Sequence, residues 1–181
     1  KKRDLILVGG DVQPIDEASS YHFSEKILDI VGSFKVKDIV TLGGIGLAYV
    51  PKKPKLFITG NSKKMISEFM QKQINTKLYG VVGPIVGVSG LLLGLSMRRK
   101  MRAIALLSET YGHPMYLGVK GTKEILKVLN GKLGLGLKIN KLEKEIKAIE
   151  SEVLRRTEDM KTMTNQGMQN FKGEGEVNYI G

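Results

Sequence analysis

A serine, a glutamate and a histidine are the residues of this chain whose types could perform acyl transfer. Ser89 lies in the segment GVSG at residues 87–90, between a predicted strand and a predicted helix, where α/β hydrolases place their nucleophile. Glu109 and His113 follow the next predicted strand and would complete a triad. The nucleophile motif also requires glycine two residues after serine, and Leu91 occupies that position. We therefore favour structural roles, with Ser89 capping a helix and His113 shaping a loop.

Three glycines, Gly43, Gly44 and Gly46, follow another predicted strand and could allow a backbone to approach a phosphate group. The Walker pattern of lysine and serine or threonine is missing, and no helix start follows the glycines. We therefore predict a tight turn at the end of the strand. Together with Ser89 and Glu109, these glycines define an alternative function, an enzyme that acts on a small anionic substrate.

Composition excludes several kinds of chemistry. The 181 residues contain no cysteine and only two histidines, His22 and His113. Disulfide frameworks, thiolate zinc sites and cysteine nucleophiles are therefore excluded, and a histidine-rich metal centre is disfavoured. Paired carboxylates at metal-binding spacing do not stand out either. We predict no metal, no cofactor and no catalytic residues.

The net charge of +11 raises the question of nucleic-acid binding. The excess lies in the middle third, where residues 61–120 contain nine basic and two acidic side chains. Its densest cluster consists of Arg98, Arg99, Lys100 and Arg102. Aromatic residues for base stacking make up only 6% of the chain, and tryptophan is absent. We therefore favour a solvated, basic helix end over an RNA-binding surface.

Strand-like and helix-like segments alternate along residues 1–138. Predicted strands cover residues 5–8, 38–42, 56–59, 85–88 and 103–107. Predicted helices begin at Ser20, at Asn61 or Ser62, at Ser89 and at Thr122. This alternation, with short glycine-containing turns, predicts an α/β fold, a three-layer sandwich with a mainly parallel sheet.

The longest uncharged stretch, residues 78–97, has the length of a membrane span. It contains five glycines and one proline among its first 17 residues, a composition typical of a buried strand, a turn and a helix start. We therefore predict no membrane partner. The chain begins at Lys1 without a methionine and without a signal peptide, and we expect an N-terminally trimmed piece of a longer protein. We also predict a cytoplasmic location.

A long helix with a coiled-coil pattern is predicted at residues 139–164. Its apolar positions alternate in steps of three and four, with Arg156 in one expected position; they are Ile139, Leu142, Ile146, Ile149, Val153, Met160 and Met163. Such a seam requires a partner helix, either on the same domain or on a neighbouring subunit, and we favour the subunit contact. Residues 165–181 are polar and glycine-rich, which predicts a mobile tail.

The order of three segments resembles the archaeal branch of the PAC2 family. The segments are TLGGIG at residues 41–46, GPIVGVSGLLLG at 83–94 and ALLSET at 105–110. The resemblance covers roughly residues 4–163 and implies a fold similar to that of purine nucleoside phosphorylases, without an established enzymatic activity. Family members usually begin with a further strand and a glycine-rich turn, which we expect to precede this chain.

The resemblance also implies a partner, the proteasome core particle. Related chaperones and activators often end in a hydrophobic residue, a tyrosine and one last residue, whose carboxylate binds a lysine between α subunits. Here the corresponding residues are Tyr179, Ile180 and Gly181, with Asn178 in place of the hydrophobic residue. One additional residue after Tyr179 displaces the carboxylate by about 3.3 Å. The resemblance thus implies a homo-oligomeric, proteasome-binding protein.

Overall fold

The computed structural model describes residues 4–10, 12–77, 85–113, 116, 118–139, 148–149, 151–152 and 155. Its elements, in chain order, are α1 Glu17–Ser33, β1 Asp38–Leu47, β2 Leu56–Gly60, α2 Lys63–Phe69, β3 Ile74–Asn75, α3 Val88–Arg98, β4 Arg102–Tyr111 and α4 Val119–Leu133. None of the helices in this part of the chain is long and apolar enough to cross a membrane.

The four strands form one open, mixed sheet in the order β1-β4-β2-β3. β1 and β4 are parallel and remain in register from the pair Asp38 and Arg102 to the pair Leu47 and Tyr111. β2 and β3 are also parallel, whereas β2 runs antiparallel to β4. Two of the three pairings are therefore parallel, which confirms the predicted α/β class.

Helices cover both faces of the sheet and make it the middle of three layers. On one face, α2 and α4 pack against β2 and β4 around Ile58, Ile104 and Val128. On the other face, α3 lies against β1 and β4, and α1 packs on α3 around Leu28 and Leu92. β4 is central and buried on both faces, which explains its continuous apolar sequence from residue 103 to residue 107.

Two predicted strands are wrong. Residues 5–8 have no regular secondary structure, and Leu7 is 91% exposed. An apolar run forms a strand only if a neighbouring strand satisfies its backbone, and the described residues provide none for this segment. Residues 85–88 also form no strand, because Gly87 adopts a φ of 78° and serves as the N-cap of α3. Ile85 packs against the sheet from this loop.

Helix starts differ from the sequence prediction at three positions. α4 begins at Val119 rather than Thr122, because Gly118 is its N-cap. α1 begins at Glu17 rather than Ser20, since the carboxylate of Asp16 accepts the backbone N–H of Ser19 at 2.8 Å. Ser89 lies in the first turn of α3 and is not its cap. Ser62 does cap α2, and its hydroxyl oxygen accepts the N–H of Met65 at 3.2 Å. A short polar side chain in the sequence therefore locates a helix start to within a few residues, and the local packing decides which residue is the N-cap.

Candidate protein-docking surfaces

Two loops lie side by side at the amino ends of β1 and β4. One connects α1 to β1 and the other connects α3 to β4. The backbone N–H of Arg102 donates to the carbonyl oxygen of Lys37 at 2.8 Å, and a Cβ on Gly32 would lie 3.3 Å from Cε of Met101. These contacts bring the two loops and the last turn of α3 together in one surface, here called the basic end. It consists of Phe34, Lys35, Lys37, Met97, Arg98 and Lys100.

Arg99 contributes to the scaffold below the basic end. Its guanidinium pairs with Glu25 and, at 2.7 Å, with Asp29. Both acids lie on α1, whereas Arg99 is the C-cap of α3. The pairs therefore join the C-terminal half of α1 to the C-terminal end of α3.

Arg102 forms a second set of ion pairs. It contacts Asp38 at 2.6 Å and Glu68 at 3.1 Å, and thereby joins β4 to β1 and α2. The hydrogen bond to Asp38, with that to Glu68, raises the pKa of Arg102 above its ordinary value despite partial burial. Because two acids occupy this guanidinium, it is not available to an external anion.

Asn61 holds the same region together by hydrogen bonds. Its amide nitrogen donates to the carbonyl oxygens of Leu93 and Met101 and to the hydroxyl of Ser96, at 3.0 to 3.2 Å. Its amide oxygen accepts the N–H of Ala103 at 2.8 Å. Asn61 therefore connects the end of β2 to α3 and β4, a role that the sequence pattern did not indicate.

The remaining cations of the basic end are unpaired. Lys35, Lys37, Arg98 and Lys100 are exposed, and the described residues supply no acidic partner for any of them. Phe34 and Met97 lie on the same surface and are 68% and 64% exposed. The basic end therefore combines free positive charge with exposed apolar side chains.

Helices α1 and α3 end in the same Schellman motif. At the end of α1, the N–H of Lys35 donates to Gly32 and that of Val36 to Val31, at 2.8 and 3.2 Å. At the end of α3, the N–H groups of Lys100 and Met101 donate in the same pattern, to Met97 and Ser96, both at 3.0 Å.

Both Schellman motifs place a lysine where glycine is usual. Lys35 and Lys100 adopt φ angles of 59° and 58°, in the left-handed region. A side chain in this conformation costs about 1 to 2 kcal/mol. α4, by contrast, ends at Gly134, which adopts a φ of 66° without that cost.

The glycines of the alternative enzyme lie inside β1 and not in a turn. β1 extends to Leu47, so Gly43, Gly44 and Gly46 all belong to the ladder with β4. A Cβ on Gly44 would lie 2.8 Å from Cγ2 of Thr110. Close packing against β4 accounts for a glycine here, and the predicted turn is wrong.

The other residues of the alternative enzyme have separate positions. Ser89 is in α3, and the carboxylate of Glu109 accepts the backbone N–H of Lys55 at 2.9 Å. The ring of His113 stacks on Tyr111 with centroids 5.6 Å apart. Among the described residues, no hydrogen bond joins Ser89 to Glu109, and no group of three potential metal ligands occurs. The geometry therefore does not support a triad.

Only part of the predicted coiled-coil seam can be placed. Ile139 and Ile149 lie in helical residues, and Ile149 is 46% exposed. The hydroxyl of Ser151 donates to the carbonyl oxygen of Ala148 at 2.9 Å, a contact of one helical turn. The other predicted positions lie outside the described residues: Leu142, Ile146, Val153, Met160, Met163 and the tail residues Tyr179, Ile180 and Gly181.

Comparison with known proteins gives consistent results. A family model described as the PAC2 family matches residues 1–156. Two uncharacterized proteins of Methanocaldococcus jannaschii are related: MJ1210 is 24% identical over 179 residues, and MJ0106 is 28% identical over 169 residues. These matches cover 99% and 93% of this chain, and 68% and 67% of the relatives.

Solved structures share the fold. PbaB of Pyrococcus furiosus, described as an archaeal proteasome activator, is 28% identical with a TM-score of 0.70. That match covers 82% of this chain and 63% of PbaB, so the chain spans less than two thirds of that protein. PbaA of the same organism, described as an archaeal homolog of proteasome-assembly chaperone, has a TM-score of 0.63 at 23% identity, over 83% of this chain and 66% of PbaA.

Proposed function

Because the chain belongs to the PAC2 family, we propose that it is a proteasome assembly chaperone-like protein that forms homo-oligomers and binds the proteasome core particle. The observation that carries the proposal is the similarity to PbaB in both sequence and fold over 82% of this chain. We place the protein in the cytoplasm, and we assign it no enzymatic activity.

The arrangement of the former candidate catalytic residues supports a binding function. The carboxylate of Glu109 accepts a hydrogen bond from the backbone N–H of Lys55, and the glycines of β1 allow close packing against β4. An enzyme needs an acid, a base and a substrate position within a few ångströms of each other. The residues that could have met this requirement serve the sheet instead.

We propose that core-particle α subunits are bound by the last residues, Tyr179, Ile180 and Gly181. A contact of three residues is weak by itself, because most of its interaction free energy offsets the ordering of the tail. Several tails on one oligomer would raise the overall affinity about 10² to 10⁴ fold. Oligomer formation and tail binding therefore depend on each other in this proposal.

The tail is tested by a pull-down of core-particle subunits. Full-length protein is expected to retain the α subunits, and deletion of residues 178–181 to abolish the interaction. A chain with the same four residues in scrambled order is the matched control, since it keeps length and composition. Equal retention of α subunits by all three proteins would contradict a role for the tail. No retention by any of them would contradict the proposed function itself.

The oligomer is tested separately by light scattering. Ile149→Glu places a charge on the predicted seam and is expected to reduce the molar mass to that of a monomer, because a buried carboxylate without a partner is costly. Ala148→Glu adds the same charge to an adjacent exposed position and is expected to leave the mass unchanged. A wild-type protein that is already monomeric, or equal masses for both variants, would contradict the predicted subunit contact through the coiled-coil seam.

A further inference from the structure

We propose that the basic end is a docking surface for an acidic segment of a partner protein, with Phe34 and Met97 contacting apolar side chains of that segment. This inference goes beyond the proposed function, which uses the tail and the seam. It does not depend on core-particle binding, because it rests only on charge, exposure and backbone geometry at the ends of α1 and α3.

The distribution of charge gives the first argument. Arg99 and Arg102 neutralise the acids around them, which are Glu25, Asp29, Asp38 and Glu68. The four cations that remain have no acidic partner in the part of the chain that the structure describes. A surface with uncompensated positive charge attracts a negatively charged one, and the attraction is strongest when the cations are close together. Carboxylates of a partner would supply the missing anions.

The backbone gives a second, independent argument. Lys35 and Lys100 both occupy left-handed positions that glycine would occupy with less strain, as Gly134 does at the end of α4. Backbone strain at a defined position points to a function of the side chain there, because glycine would otherwise be the more stable residue. Two equivalent lysines on adjacent helix ends indicate a shared role.

The scaffold is already ordered before any partner binds. The bonds of Asn61 and the ion pairs of Arg99 and Arg102 fix both loops to the sheet. The Schellman hydrogen bonds fix the backbone from which Lys35 and Lys100 extend. A preorganised surface loses little conformational entropy on binding, which favours affinity.

Protein is a better match to this surface than nucleic acid. Bidentate contacts to phosphate come mainly from arginine. Carboxylates already occupy Arg99 and Arg102, which leaves Arg98 as the single arginine of the basic end that could make such a contact. Phe34 is the only aromatic residue in the six that form the basic end, so successive bases would find no stacking platform. Exposed Phe34 and Met97 instead match apolar side chains, and methionine adapts readily to different partners.

The test measures the fluorescence anisotropy of a short labelled peptide composed of glutamate and leucine. Lys35→Gly with Lys100→Gly removes two charges without straining the backbone, and the affinity is expected to fall about fivefold to tenfold, as the loss of two exposed ion pairs predicts. Lys52→Gly with Lys53→Gly is the control, because it removes the same charge from the β1–β2 loop. That loop follows the far end of β1, about 30 Å away, and its variant is expected to bind like the wild type.

Two further variants separate charge, apolar contact and folding. Lys37→Ser with Arg98→Ser leaves both Schellman positions unchanged, so its expected fivefold to tenfold loss cannot result from altered helix ends. Phe34→Ser with Met97→Ser keeps every charge and is expected to lower affinity about tenfold, as the loss of two apolar contacts predicts. Circular dichroism of each variant verifies the fold.

Three outcomes would overturn the proposal. The first is a wild-type protein that does not bind the peptide. The second is a loop control that loses as much affinity as the two variants of the basic end. The third is tighter binding of a single-stranded RNA oligonucleotide than of the peptide, with the same dependence on Lys35 and Lys100, which would identify a nucleic-acid surface. Weaker binding of the peptide at higher salt, specific to the basic end, would support the proposal.

Discussion

The two ends of the parallel pair β1 and β4 are built in different ways. At the amino ends, ion pairs of Arg99 and Arg102 and the hydrogen bonds of Asn61 join separate elements. Four lysine and arginine side chains there have no acidic partner among the residues that the structure describes. At the carboxyl ends, glycines allow close packing, and the rings of Tyr111 and His113 stack. The amino ends thus combine lysine and arginine side chains with exposed Phe34 and Met97, whereas the strands pack closely at the carboxyl ends.

This difference bears directly on function. Open α/β sheets usually bind small ligands at the carboxyl ends of their parallel strands. Here the acid found at that end, Glu109, is bound to the backbone of Lys55. The cations that lie beside exposed Phe34 and Met97 are at the opposite end, on a surface made by helix ends and loops. The comparison therefore favours recognition of a macromolecule over catalysis.

The largest expected effect concerns packing at the carboxyl ends. Gly121 is buried in the first turns of α4, and a Cβ there would lie 3.0 Å from Cβ of Ser108 and 3.2 Å from the carbonyl oxygen of Glu109. Gly121→Val should lower the free energy of unfolding by about 3 kcal/mol, measured by urea denaturation. Gly131→Ala in the same helix has room, because its nearest atom is 3.9 Å away, and should raise stability by about 0.5 to 1 kcal/mol. Similar values for both would show that this end is loosely packed.

A smaller effect is expected for the hydrogen bonds of the basic end. Asn61→Ala removes four hydrogen bonds and leaves the buried N–H of Ala103 without its acceptor. The free energy of unfolding should fall by about 2 kcal/mol. The same substitution at Asn75, whose side chain donates one bond to Leu56 at 3.2 Å, should cost less than about 1 kcal/mol. Equal losses would mean that Asn61 does not organise this end.

Exchanging lysine and glycine at the ends of α1, α3 and α4 tests the backbone strain of the left-handed lysines. Lys35→Gly or Lys100→Gly should raise the free energy of unfolding by about 0.5 to 1 kcal/mol, because each relieves a left-handed side chain. Gly134→Lys should lower it by about 1 kcal/mol for the same reason. Thermal denaturation measures all three. A loss of stability in the two lysine variants would show that lysine stabilises the helix ends, and would remove one argument for docking.

The smallest effect is a pH dependence at the start of α1. The N–H of Ser19 lowers the pKa of Asp16 below its ordinary value of 3.8, because it stabilises the ionised carboxylate. A lowered pKa in the folded state contributes stability above the unfolded pKa, and the contribution disappears as the pH falls through the folded pKa. Asp16→Asn should therefore remove a small acid-dependent decrease in helicity below about pH 4, followed by circular dichroism. An unchanged acid profile would contradict this assignment.

The sequence predicted the class of fold and most elements, but it failed where the partner of a segment mattered. The alternation of segments identified α1, β1, β2, α2, α3, β4 and α4 to within a few residues. Residues 5–8 have the composition of a strand and are exposed, because strand formation depends on a neighbour. The sequence also did not indicate that β2 runs antiparallel to β4, since short buried strands of either direction have similar compositions.

For the candidate sites, residue types were easier to predict than roles. The cluster from Arg98 to Arg102 was evident from the sequence, but half of it belongs to internal ion pairs. Lys35 and Lys37 were not evident, because their third of the chain is nearly neutral. The position of Ser89, two residues after Gly87, suggested a nucleophile or a cap, and the structure assigns neither role.

The sequence by itself determined the alternation of strands and helices, because hydrophobic periodicity acts over a few neighbouring residues. The order of three short segments, at residues 41–46, 83–94 and 105–110, indicated the family. The tertiary structure decided which charges remain free. Arg102 meets Asp38 and Glu68, which are 64 and 34 residues away along the chain, only because the sheet order and the packing of α2 bring them together. A local pattern contains no information about such distant partners, whereas ion pairing depends on the distance in space.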